Sequence, residues 1–268
     1  MKKERKRVKI EETIISRAIV ENFTNEFLEA LDTDVAIAGA GPSGMTAAYY
    51  LAQKGVKTVI FEKNLRVGGG MPGGGMMFNS IVVQEDGKGI LDEFQVRTKK
   101  YQKGYYVADS LETVSTICSR AIKAGAKIFN LISVEDVMID NSDRIAGLVL
   151  NWSATSLAKL HVDPLAIKSR VVIDATGHEC EICHIVVRKI GPKLKTKTGE
   201  VMGEKSMLAD VGEKKLIENT REVYPGLIVA GMAANAVFGS PRMGAIFGGM
   251  LISGKRAAEV SLKLLKKA

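Results

Sequence analysis

Apolar and polar positions change period several times along the chain, and each change marks an element. Residues 35–38 are a short apolar run that meets Gly39, Gly41 and Gly44 at the spacing G-x-G-x-x-G. Residues 45–53 continue at helical period, and residues 57–62, KTVIFE, form a second apolar run that ends in an acid. Strand, tight turn, helix and strand in that order predict a unit that binds an adenine dinucleotide. Each glycine then has a separate reason: Gly39 makes the turn, Gly41 lets backbone approach a pyrophosphate, and Gly44 lets helix and strand pack closely. Free N–H groups at the helix start face the phosphate. Glu62 lies about 20 residues on, where a carboxylate accepts from ribose hydroxyls.

The same reading carries through the rest of the chain. Residues 11–31 predict an amphipathic helix, with Ile15, Ala18, Ile19, Phe23, Phe27 and Leu31 at three- and four-residue steps. It precedes the nucleotide unit, so it packs on the outside of that unit or on another subunit. Residues 66–79, RVGGGMPGGGMMFN, hold two glycine triplets, which excludes a regular element and allows backbone to lie against a ligand. A short helix is expected over 89–97, a strand over 105–108, and a helix capped by Asp109 or Ser110 that runs to Lys123 and stops at Gly125. Residues 127–131, 134–139 and 145–152 read as strands, with a turn at 141–143. Residues 153–168 are a polar-apolar segment holding LHVDP. Residues 170–175, RVVIDA, are a buried strand delivering Thr176-Gly177-His178, and residues 179–190 look helical. Residues 193–219 are charged with little periodicity, and a surface excursion, partly mobile, is expected there. A final short strand is expected at 227–230, a glycine-rich stretch at 231–249 and a helix from about 250 to 266. The strands after Gly125 suggest a β-rich lobe, spanning about 101–168, inserted into one domain that runs over 1–268.

Composition narrows the class. An apolar fraction of 46% over 268 residues is ample for a core, and no apolar run approaches the ~20 residues of a membrane span. The basic start, MKKERKRVKI, reads as a mobile tail over residues 1–9. No apolar signal core follows it, so a cytoplasmic protein is expected. The net charge of +8 is concentrated near both termini and over 189–197, without an aromatic-rich basic patch, so nucleic acid is not the expected partner. Three cysteines make no disulfide framework. The cluster His178-x-Cys180-x-x-Cys183-His184 invites a zinc reading, but it holds the chain's one C-x-x-C pair, and structural zinc takes four ligands. On a helix Cys183 shares an apolar face with Ile182, Val186, Val187 and Ile190, which makes it a core residue. Cys118 is core as well; Cys180 is open.

GAGPSG, the acid-ended strand, the ATG strand end and the closing LIVAG strand together resemble the flavoprotein nucleotide-binding fold. The expected class is therefore α/β, a flavoprotein-like (Rossmann-type) three-layer dinucleotide-binding fold with an inserted β-rich lobe. In flavin enzymes of that type the closing strand ends Gly-Asp. Here it reads Gly231-Met232, which removes the carboxylate for the ribityl chain and leaves the ADP half intact.

GGGMPGGGMMFN, GYYVAD, NWSA, LHVDP, DATGHE and GSPRMGAIFGGMLISG resemble, from about residue 14 to the C-terminus, the archaeal branch of the thiazole synthases of thiamine biosynthesis. The resemblance implies that NAD is a substrate: nicotinamide leaves, the ADP-ribose sugar opens and condenses with glycine, and sulfur enters before ring closure. In eukaryotic members a cysteine two residues before an Asp donates the sulfur and the enzyme works once. His161 stands at that position, two before Asp163, which implies a branch that takes free sulfide and turns over. It further implies Fe(II) held by Asp163 and His178, glycine's carboxylate on Arg242, and dinucleotide contacts at Ser43, Glu62, Lys63, Gly70, Val134, His161 and Met232. A ring-like homo-octamer with sites shared between subunits is implied too. His161 can serve as an acid/base near neutral pH or occupy the space of the lost cysteine. The competing readings are an FAD- or NAD-dependent oxidoreductase on the same fold, a non-enzymatic nucleotide-binding module, and an isomerase of a sugar bisphosphate.

Overall fold

In the computed structural model, which describes residues 8–266, helix α1 (Glu12–Ala30) leads into β1 (Asp32–Ala38). Up to residue 7, the tail expected over 1–9 lies outside the described residues. The glycine turn follows, then α2 (Pro42–Ala52) and β2 (Thr58–Glu62). β3 (Ser80–Val83), α3 (Glu85–Phe94), β4 (Thr98–Gln102), β5 (Tyr105–Asp109) and α4 (Ser110–Lys123) come next. β6 (Lys127–Asn130), β7 (Ile132–Ile139), β8 (Ile145–Trp152), α5 (Ser153–Leu157) and β9 (Leu165–Asp174) complete the middle of the chain. α6 (Glu181–Ile190), α7 (Ala209–Asn219), β10 (Glu222–Tyr224), β11 (Leu227–Val229), α8 (Met232–Val237) and α9 (Gly248–Leu265) follow.

The main sheet runs β10-β11-β9-β1-β2-β6. β1 is parallel to β2 and β9, β2 to β6, and β11 to β9. β9 carries two partners along one edge. Its first half pairs antiparallel with β8, from Leu150 opposite Leu165 to Gly147 opposite Lys168, and its second half pairs with β11. Register decides where a ligand can sit. Ala38 is opposite both Phe61 and Asp174, and Val229 is opposite Asp174, so four parallel strand ends are level. Open α/β sheets bind ligands beyond such carboxyl ends.

Side chains alternate across the sheet. Val35 and Ile37 of β1 join a core with Met45, Leu51, Ile117 and Leu251, from α2, α4 and α9. Ala36 and Ala38 join a second core with Phe61, Phe129, Ile182 and Val186, on the side of α6. The period of two in β1 is what lets one strand serve two layers. Among the described residues no helix is long and apolar enough to cross a membrane.

The structure departs from the sequence reading at several places. Residues 193–219 contain α7, and they are pinned to the site rather than standing off as an excursion. Residues 231–249 contain α8, and β9 begins inside the segment expected as polar-apolar. β3 and β4 were not expected, and with β5 they form a separate antiparallel sheet, β3-β5-β4. Residues 101–168 are thus divided between two sheets. Asp109 rather than Ser110 caps α4, accepting from Leu111 N at 2.9 Å and Glu112 N at 2.8 Å.

The turn after β1 leaves no room for a methyl group at Gly44, where a Cβ would lie 2.2 Å from Gly39 O. Gly44→Ala is expected to cost about 1–3 kcal/mol of stability, the usual range for overpacking. Urea unfolding measures the loss.

Candidate active site

Beyond the four level strand ends lies a cavity of about 680 Å³. Its first wall is the glycine turn. Gly39 has φ +99, and a Cβ there would meet Ala175 O at 2.5 Å, so only glycine fits between β1 and the end of β9. Gly41 differs: a Cβ there would meet nothing within 4 Å, which leaves open space over the first turn of α2. Ser43 and Gly44 follow Pro42 at the helix start, where N–H groups have no partner within the helix. Gly69 and Gly70 continue this wall from the glycine triplet.

Glu62 is buried at the end of β2. Its Oε2 accepts from Ala40 N at 2.8 Å, and its Oε1 accepts from Asn64 N at 2.8 Å and Asn64 Nδ2 at 2.7 Å. Three of its roughly four acceptor positions are used by the protein, which leaves one for a ribose hydroxyl. The acid therefore shapes the turn as well as facing the cavity. Lys63 and Glu181 are ion-paired beside it; the hydrogen bond that Lys63 donates to Glu181 holds its ammonium above the ordinary range.

The opposite wall grows from β9. Asp174 is fully buried and accepts from Thr176 N at 3.1 Å, Thr176 Oγ1 at 2.6 Å and Cys183 N at 3.0 Å. Thr176 Oγ1 in turn accepts from Glu181 N at 2.7 Å. These bonds fix the turn Gly177–Glu179, which carries His178 on the cavity wall. Glu204, which the sequence reading missed, meets His178 Nδ1 at 2.7 and 2.8 Å through its two oxygens. Arg242 and Met207 close this side. Among the described residues the exposed guanidinium of Arg242 has no acidic partner within ion-pair distance, so it stands ready for a carboxylate.

The cavity lining brings together Gly39, Gly41, Ser43, Glu62, Lys63, Gly70, Val134, His178, Met232 and Arg242, with Gly44 packed just beneath. His161 and Asp163 are not in that lining. They lie on an exposed stretch between α5 and β9, held through Asn151 Nδ2, which donates to Val162 O at 3.0 Å. Among the described residues no three His, Cys, Asp or Glu side chains gather into a metal-sized group.

A scan of family models matches the chain over residues 16–247 to one described as the Thi4 family. This chain belongs to the Thi4 family. The thiamine thiazole synthase of Methanothermobacter thermautotrophicus is 61% identical over 259 residues, covering 97% of this chain and all of that protein. That of Pyrococcus horikoshii is 53% identical, covering 96% and 99%. The crystal structure of Thermovibrio ammonificans THI4 superposes with a TM-score of 0.95 at 50% identity, covering 96% of this chain and all of that one. A geranylgeranyl bacteriochlorophyll reductase-like protein from Thermoplasma acidophilum, 17% identical with a TM-score of 0.53 over 88% and 79%, shows the fold alone. The Thi4 chain described here is accordingly an enzyme of thiamine thiazole biosynthesis on a flavoprotein-like α/β fold.

The cysteines of this Thi4 chain stand apart from a nucleophile's setting. Cys183 is fully buried, and burial with Asp174 nearby pushes its thiol well up. Burial also pushes Cys180 up to about 12, helped by the surrounding carboxylates of Asp174, Glu204, Glu179 and Glu181. Burial raises Cys118 too. A raised thiol pKa lowers the thiolate fraction, and the thiolate is the species that reacts. Native protein at mildly alkaline pH is expected to resist iodoacetamide at Cys180 and Cys183, and the unfolded chain to take up three alkyl groups; peptide mass mapping reads both. Rapid native labelling of Cys180 would contradict the burial described here.

Proposed function

We propose that this chain makes the ADP-linked thiazole carboxylate from NAD, glycine and sulfide, with Fe(II), and that it turns over repeatedly. The observation that carries the reading is the convergence on one cavity of a glycine turn of dinucleotide type, an acid at the end of the second strand, an imidazole and a guanidinium without an acidic partner among the described residues. The glycine turn and the start of α2 suit the pyrophosphate, and Glu62 suits the adenosine ribose. Arg242 suits the carboxylate of glycine, bidentate, on the same wall as His178. Nicotinamide is the leaving group. The flavin reading lacks comparable support, because Gly231 is followed by Met232 where a carboxylate would be needed.

Two donors fit iron, and they fit it only across copies of the chain. His178 offers one ring nitrogen, since Nδ1 is engaged by Glu204. Asp163 is exposed on a stretch outside its own cavity, so it suits the cavity of a neighbour. Fe(II) held there would supply Lewis acidity and bring sulfide and the glycine-derived group side by side. His161 has no sulfur to give, which supports free sulfide as the source. It lies on the same stretch as Asp163, where it can hand a proton to or from the closing ring.

Assembly of this kind is supported by α1. Ile14, Ile15, Ile19 and Val20 are exposed, and only its second half is anchored, where Phe23 and Phe27 meet Phe129 with ring centroids 5.7 and 5.2 Å apart. With Leu157, Leu160, Val162 and Leu165 also exposed, this apolar surface suits a second copy of the chain, and a homo-octamer is the proposed assembly.

The test is an anaerobic mixture of protein, NAD, glycine, ferrous iron and sulfide, followed by mass. Repeated turnovers that require all four components are expected; no consumption of NAD would refute the reading. Asp163→Ala and His178→Ala are expected to lose thiazole formation while NAD binding stays within a few-fold, as for groups that do not touch the nucleotide. Mixing the two inactive variants is expected to recover part of the activity, because some mixed interfaces then hold both donors. In His161→Cys, conversion of the new cysteine to dehydroalanine is expected, and an unchanged protein mass after one turnover would rule out donation from that position.

A further inference from the structure

Glu204 lies in a segment without helix or strand, yet that segment is held firmly on both sides of it. Met202 N donates to Val237 O at 3.1 Å, and Lys205 N donates to Ser240 O at 3.1 Å. Arg242 N donates back to Lys205 O at 3.1 Å, and Leu208 N to Arg242 O at 3.0 Å. The chain around Glu204 is thus laced to residues 237–242. The side chain of Glu204 is 19% exposed and that of His178 47%, so the carboxylate sits behind the ring as seen from solvent. Both carboxylate oxygens are within hydrogen-bond reach of Nδ1, and among the described residues Glu204 makes no other ion pair.

We infer that Glu204 is a positioning residue that fixes the tautomer and the aim of His178. This rests on the proposed reading of His178 as a metal ligand. A carboxylate only accepts, so Nδ1 carries the proton, and in the neutral imidazole the lone pair is left on Nε2. A ligating histidine needs a free lone pair on one nitrogen and a fixed ring plane, and a carboxylate on the other nitrogen supplies both. An exposed ion pair kept for stability would not need its acid held by backbone bonds on either side, since such a pair is worth at most about 1 kcal/mol. The same stretch holds the backbone of Arg242 at Lys205 and Leu208. One irregular segment therefore sets the spacing between the group for the metal and the group for the glycine carboxylate.

The experiment is anaerobic titration of the full assembled protein with Co(II) alone, read by its visible absorption, for wild type, Glu204→Ala, Glu204→Gln and His178→Ala. Glu204→Ala is expected to weaken Co(II) binding roughly 10–100-fold, the range for losing a partner of a ligating histidine. Glu204→Gln, whose amide oxygen still accepts from Nδ1, is expected to recover most of that loss, and NAD affinity is expected to be unchanged in both. In metal-free protein labelled with nitrogen-15 histidine, the neutral ring of His178 is expected to show a single Nδ1–H tautomer that Glu204→Ala abolishes; only three histidines contribute, and His178→Ala assigns the signal. If His178→Ala loses Co(II) and Glu204→Ala does not, the positioning role is overturned while the metal reading stands. Co(II) binding that is equal in wild type and His178→Ala, or absent from both, removes the metal reading and this inference with it. Glu204→Ala and Glu204→Gln that both lose NAD affinity overturn the inference in favour of a purely structural role.

Discussion

The turn at Gly39 and the end of β9 lie against each other with no room for a side chain between them. A Cβ on Gly39 would be 2.5 Å from Ala175 O, and one on Gly44 would be 2.2 Å from Gly39 O. That contact is a consequence of the parallel pairing of β1 with β9, in which Ala38 faces Asp174. Everything on the cavity wall is indexed to it. The start of α2 at Pro42 is three residues along from the contact on one chain segment, and His178 is three residues along on the other. Phe61 and Val229 are in the same level of the sheet, so Glu62 and the Gly231 turn arrive there without further adjustment. A bulkier residue at Gly39 would separate the two strands and displace both halves of the site together.

The wall opposite is built differently. Residues 202–208 and 238–247 have no helix, and buried polar groups hold them. Asn235 Nδ2 donates to Gly212 O at 3.0 Å and Pro241 O at 3.3 Å, and Asn219 Nδ2 donates to Asn235 Oδ1 at 3.0 Å and Ser240 Oγ at 2.9 Å. Glu213 on α7 accepts from Gly249 N at 3.0 Å at the start of α9, and burial raises its carboxyl above the usual range. Satisfied buried networks of this sort specify one arrangement of otherwise irregular chain. The division of labour has a physical basis. In the proposed chemistry the regular wall would hold the ADP portion through backbone and shape, whereas the irregular wall carries Arg242 and backs His178 with Glu204, groups whose chemistry depends on where individual side chains point.

Much of this was legible in the sequence where a single local pattern decides the outcome. The run 35–62 gave strand, turn, helix, strand and acid, because the period changes are sharp and each glycine has a steric reason. The helix 110–123 was legible from its cap. What was missed depends on distant partners. β3, at four residues, and the exposed TKKYQ of β4 carry little pattern of their own and exist as strands because β5 lies between them. α7 has weak amphipathicity, and its burial is concentrated in Gly212, Leu216 and Asn219, two of which are polar or without a side chain. Glu204 sits among Gly, Lys and Ser with no signal at all; its role is visible only once Lys205 is seen bonded to Ser240 and Arg242. The wall with the simplest secondary structure was therefore the readable one, and the wall with the side-chain chemistry was readable only at His178 and Arg242.

Asp163 marks a different kind of limit. Sequence places it two residues from His161 and fifteen from His178, and nothing in that spacing says whether the donors meet within one chain. The fold answers in part: β9 runs the full depth of the sheet between them, from Leu165 to Asp174, so its two ends open on opposite edges. A strand rises about 3.3 Å per residue, and ten residues therefore separate the ends by roughly 30 Å. A donor at the start of β9 cannot reach a ring beyond its end without leaving the strand. In the proposed chemistry the same strand thus serves two sites, delivering His178 to its own cavity and Asp163 to a neighbour's. Assembly and metal binding then become one equilibrium: a separated chain keeps its nucleotide cavity, but it holds only half of the donors that would bind iron.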